Sequence, residues 1–234
     1  MFDSEVTPQA QTSTDHTPSG PTASQAFEAF IRDRAFPCVA AKSTLARHHM
    51  QIMEVGDIRC PRDDTAIHDQ LTAFASDFKA NPELFQSFVV IFKTDALLSE
   101  PEFEQAMWQR IQALHRIDKE RGYAYDSRVS SDATSSKFSL SFAEEAFYLI
   151  GMHPGASRPA RRFSSPAIVF NAHDQFEQLR AQDRYETLRE NIINRDIAFS
   201  GSANPMLSRF GDSTEAAQYS GRLVEADWTC PFKP

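Results

Sequence analysis

The sequence predicts an α+β fold: a mixed or antiparallel central sheet with helices packed against it, followed by a loop-rich C-terminal segment. Three observations lead there. The apolar runs Phe88 to Phe92, Phe147 to Ile150 and Ala167 to Phe170 have strand length and no polar interruption, as expected of strands covered on both faces. Apolar stripes at helical spacing lie between some of these runs. The strands therefore come partly in succession and partly separated by helices, unlike the regular alternation of a doubly wound sheet.

Taken in order, Met1 to about Ser24 is rich in Ser, Thr, Pro and Gln and nearly free of bulky apolar residues, the composition of a disordered tail. Residues 25–234 then form one domain, with enough chain to bury a continuous core. Phe27, Phe30 and Ile31 share a helical face behind Ser24, which is placed to cap it. Ile67, Leu71, Phe74 and Phe78 make a second stripe. Phe103, Met107, Ile111 and Leu114 make a third, opened by Pro101 in the first turn. Between the last two lies Ser87 to Lys93, expected as a central strand. Phe138, Leu140 and Phe142 alternate with Ser139 and Ser141, a half-buried strand pattern. Phe176 and Leu179, then Tyr185, Leu188 and Ile192, return to a helical period as one broken helix or two short ones.

Composition excludes several classes. A formal net charge of −8 argues against a nucleic-acid or anionic-membrane surface. No apolar stretch approaches the roughly 20 residues of a membrane span. The N-terminus lacks the pattern of a signal peptide, so a cytoplasmic protein is expected. Three widely spaced cysteines give no disulfide framework and no paired metal knuckle. There is no P-loop, dinucleotide-binding glycine fingerprint or nucleophile elbow.

The densest chemistry lies in Gly151 to Phe176. Pro154, Pro159 and Pro166 stiffen a connection that carries Arg158, Arg161 and Arg162, a pattern that suits an anion through bidentate contacts and equally a basic surface patch or ordinary ion pairs. His153 follows a buried run, a common position for a metal ligand and also for a half-buried imidazole bonded to backbone. His173 reads as a second ligand, an acid or base, or part of a helix start. Cys38 and Cys230 read as buried apolar residues or as axial thiolates. The long segment from Asn194 to Phe232 either closes over a ligand or shields the sheet edge.

Phe36-Pro37-Cys38, GMHPGASRPARRF, FNAHDQF, RDIAFSGSANPML, QYSGR and WTCPF, taken in that order from Phe36 to Phe232, resemble the YqcI/YcgG family. The resemblance implies a haem-dependent monooxygenase that N-hydroxylates an amine or guanidine nitrogen of a small amino-acid-like substrate, with O2 and electrons from a reductase or ferredoxin. It implies haem b, with His153 as axial iron ligand, Arg158, Arg161 and Arg162 facing the propionates, and His173 in a distal catalytic role. A homodimer is left open. Two other readings stay beside it: a haem-binding sensor or carrier without oxidation, and an arginine-loop protein that acts on phosphorylated metabolites.

Overall fold

Each predicted stripe becomes a helix, and the stripes that start at Ile67 and at Phe103 are buried. In the computed structural model, which describes residues 20–234, Ala23–Arg32 is α1 and Val39–Ala46 is α2. Asp64–Ala80 is α3, with Ile67, Leu71, Phe74 and Phe78 buried. Glu100–Glu120 is α4, opened by a reciprocal Ser99/Glu102 capping box with Pro101 in its first turn. Asp174–Ala181 and Tyr185–Ser200 are α5 and α6, so the C-terminal helical pattern resolves into two helices. Ala216–Tyr219 is the single-turn α7.

Five strands form one sheet: β1 (Met50–Val55), β2 (Ser87–Phe92), β3 (Leu140–Phe142), β4 (Glu145–Met152) and β5 (Ala167–Ala172). Their order is β1-β2-β5-β4-β3; β1 and β2 run parallel through the α3 crossover, and the remaining pairs are antiparallel. The sheet is therefore mixed. The strand expected at the centre, β2, is buried throughout but stands second from an edge, and β5 takes the centre. Among the described residues no helix is long and apolar enough to cross a membrane.

Two local findings differ from the expectation, and a third is a turn that the sequence did not announce. The cap of α1 is Thr22, in a capping box with Gln25, while Ser24 donates from its hydroxyl and backbone N–H to Glu54 of β1. Ala23 and Ser24, assigned to the tail by composition, are thus helical; residues 1–19 of that tail lie outside the described residues. β3 and β4 join through Ala143-Glu144, both at positive φ, in a two-residue turn that usually calls for Asn or Gly. Asp118 accepts from the Ala143 N–H and Lys79 donates to the Ala143 carbonyl, which holds this turn in place.

Alternation along the central strands separates two faces. Phe147, Leu149 and Gly151 of β4 pair with Ala172, Phe170 and Ile168 of β5, and together with Phe88, Val90 and Phe92 they meet α3 and α4. Tyr148, Ile150 and Met152 pair with Asn171, Val169 and Ala167 on the other face, toward α1, α2, α5 and α6. The segment after Gly201 serves both. Phe232 packs edge-on against His115 on the first face, while Asn204, Leu207 and Phe210 cover the second.

Candidate functional site

Beneath α5 and α6, on the second face, lies a cavity of about 280 Å³. Its floor is Tyr148, Ile150, Val169 and Asn171 of the sheet; its walls include Phe27 of α1, Cys38 at the start of α2, and Leu188 and Ile192 of α6. His173, Arg158 and Arg161 also line it. His153 and Arg162 do not.

The separation of the two histidines follows from strand geometry. The His173 N–H bonds to the Ala146 carbonyl at one end of β4, and His153 lies seven residues further along that strand, about 23 Å of extended chain away. Residue parity also puts them on opposite faces: His173 continues the Val169, Asn171 series, and His153 continues the Leu149, Gly151 series. His153 is 1% exposed and stacks on Phe103 of α4, with centroids 4.4 Å apart. Its Nδ1 has no partner among the described residues, and burial pulls its pKa below the ordinary histidine value. His173 is 6% exposed, meets the edge of Phe210 at 4.5 Å, and has Nε2 3.7 Å from the Glu215 carboxylate. Glu215 in turn accepts from the Tyr219 hydroxyl. Burial raises both Tyr148 and Tyr219, so both remain phenols across the physiological range.

The three arginines do not converge on one point. Arg158 pairs with Asp196 of α6 and donates to the Ser202 carbonyl. Arg162 turns back onto the carbonyls of Ala156 and Ser157, outside the cavity. Arg161 donates to the carbonyls of Gly151, Tyr219 and Gln218. This dispersal disfavours a phosphate cradle, which needs several cations on one group.

Two positions on α6 tie distant segments together around the cavity. Arg195 donates to the carbonyls of Arg34, Phe36 and Pro37, and Asp196 holds Arg158. These contacts join RDIAFS to the FPC block and to RPARR, with QYSG reached by Arg161. A family model described as the YqcI/YcgG family matches residues 27–233, a span that holds all of these blocks. The chain belongs to the YqcI/YcgG family. Searches of curated proteins and of solved structures give no match.

Sequence reasoning missed Glu215, Asp196 and Tyr148 as neighbours of the site. Asp196 stands inside RDIAFS and Glu215 shortly before QYSG, but nothing local marks which arginine or histidine, far away in the chain, each carboxylate faces. Among the described residues no group of three or more His, Cys, Asp or Glu side chains is arranged to hold a metal ion.

Proposed function

We propose that this YqcI/YcgG protein is a haem b-dependent monooxygenase that N-hydroxylates an amine or guanidine nitrogen of a small amino-acid-like substrate, using O2 and electrons from an external reductase or ferredoxin. The observation that carries the reading is the donor set of one cavity: apolar walls, one imidazole, one thiol, and opposite charges at separate places on its wall. That set fits the cofactor the family implies. A macrocycle needs an apolar slot, its iron one protein donor, and its carboxylates cations at the rim.

The two candidate donors differ in readiness. Burial raises the Cys38 thiol, which disfavours the thiolate needed at iron. His173 offers a buried imidazole on the cavity wall with Glu215 beside it, the kind of carboxylate that fixes the orientation of a ligating histidine. The proposal therefore gives ligation to His173, whereas the family resemblance alone suggests His153. Bound there, haem would supply the O2 activation that no side chain can perform. The residues of the chain bind, orient and exclude water: Ile150, Val169 and Ile192 make the site dry, and Arg161 presents a positive charge to the acidic end of an amino-acid-like molecule.

The volume has a consequence. At about 280 Å³ the cavity lies just below the usual range of small-ligand sites. Macrocycle and substrate together would require the segment carrying Asn204, Leu207 and Phe210 to move outward.

The test is the absorption spectrum of the full chain purified from haem-supplemented cells, as isolated, reduced, and reduced under carbon monoxide. A Soret band that responds to carbon monoxide, and to arginine-like amines, is expected. A folded, colourless protein that takes up no added haem would overturn the reading.

A further inference from the structure

The three arginines of RPARR differ in one respect that matters for recognition. Arg158 is neutralised by Asp196, and Arg162 points away from the cavity. Arg161 lines the cavity with only carbonyl oxygens as partners, and no carboxylate among the described residues forms an ion pair with it. Asp196 is committed to Arg158 and accepts from the Ser200 hydroxyl. The group Arg158, Asp196 and Arg161 thus carries one net positive charge into an apolar cavity. Carbonyl dipoles orient such a charge without cancelling it, and an unmatched cation away from water is costly. Desolvation indeed pulls Arg161 below its ordinary value.

The seat of this guanidinium is the QYSG block. Gln218 and Tyr219 supply two of its carbonyl acceptors. Gly221 sits at φ +82°, and a Cβ there would meet Arg161 Cγ at 3.2 Å. Only glycine accommodates both the left-handed backbone and the arginine stem. The hydrogen bonds to Gly151, Tyr219 and Gln218 leave Nε–H and one Nη2 hydrogen without a partner among the described residues. That edge of a guanidinium takes a carboxylate side-on.

We propose that Arg161, seated by Gln218-Tyr219-Ser220-Gly221, is the anchor for a carboxylate of the cavity's ligand, and that Arg158 and Arg162 shape the loop without binding it. This rests on the cavity being the ligand site proposed above, and it does not require that haem be present. The carboxylate belongs either to a small-molecule substrate or to a haem propionate.

The test uses the full chain without haem and compares hexanoate with hexanamide, probes of one shape that differ in charge, by calorimetry or a thermal shift. Hexanoate is expected to bind about tenfold more tightly, the effect of a charge-assisted hydrogen-bonded pair. Arg161→Gln should abolish that preference, and Arg162→Gln, outside the cavity, should leave most of it. Equal binding of both probes by the wild type, or a preserved preference in folded Arg161→Gln, would overturn the proposal. Should Arg161→Gln fail to fold, Gly221→Ala decides: a lost preference with unchanged circular dichroism supports the socket, and an unchanged preference refutes it. Repeating the comparison after haem loading separates the sources. A preference that disappears on loading assigns Arg161 to a propionate, and one that survives assigns it to the substrate. A chain that takes up no haem yet keeps the preference would refute the cofactor and leave the carboxylate anchor standing.

Discussion

The face of the sheet that carries Phe147, Leu149, Phe170 and, just beyond β4, His153 is closed by α3, α4 and the C-terminal residues. The face that carries Tyr148, Ile150, Val169 and Asn171 leaves a cavity under α5 and α6. The same strands make both, so the difference lies in what covers them. α4 buries a continuous series of large side chains from Phe103 to Leu114, whereas α6 fully buries only Asp196 and leaves Leu188, Ile192 and Ile193 half-buried along the cavity. Apolar side chains directed at a space that the protein does not fill are the usual lining of a ligand site. His153 belongs to the filled face and His173 to the open one.

Substitutions on the two faces should behave differently, and the largest effect is expected on the filled one. Phe103 of α4 is fully buried against β4 and the His153 ring, so Phe103→Ala should cost about 3–5 kcal/mol in urea unfolding. A loss under about 1 kcal/mol would mean that this face is not tightly packed and would erase the contrast. On the open face, Ile150→Phe adds volume where space exists. It should change stability by less than about 1 kcal/mol, and it should weaken hexanoate binding severalfold. Strong destabilisation there, with binding intact, would show that the cavity closes in solution.

The smallest effect concerns the α1 wall. Hydrogen bonds from the Ser24 hydroxyl and backbone, and then Lys93, hold the Glu54 carboxyl at about 2, below its ordinary 4.5. A carboxylate with a depressed folded pKa gives its full support above about pH 4.5 and loses it as the pH falls toward 2. Amide exchange in α1 should therefore accelerate, relative to α3, between pH 6 and about pH 3. In Glu54→Gln this dependence should vanish. Equal behaviour of the two helices in the wild type would rule out the tether.

Much of this contrast was legible in the sequence. The stripes of α3 and α4 and the apolar runs of β2, β4 and β5 fixed the filled face, because large side chains at regular spacing have few other uses. β1 and α2 were not legible: Met50–Val55 mixes Gln51 and Glu54 with apolar residues, and Val39–Ala46 has little amphipathic pattern. The Ala143-Glu144 turn was hidden because its strain is offset by Asp118 and Lys79, both far away in sequence. At the site, residue type pointed to both histidines and all three arginines. It could not sort them, since that depends on the antiparallel register of β4 with β5 and on which carbonyl or carboxylate each arginine meets. Alternation in EAFYLIGMH and AIVFNAH, once those two strands are paired, suffices to put His153 and His173 on opposite faces.

The measurement that bears most directly on this division is the reduced, carbon-monoxide difference spectrum of haem-loaded His173→Ala set beside that of His153→Ala, each checked for folding by circular dichroism. Loss or displacement of the Soret band in His173→Ala, with a near-native band in His153→Ala, is the expected result. A native band in folded His173→Ala and its loss in folded His153→Ala would contradict the assignment of ligand chemistry to the open face.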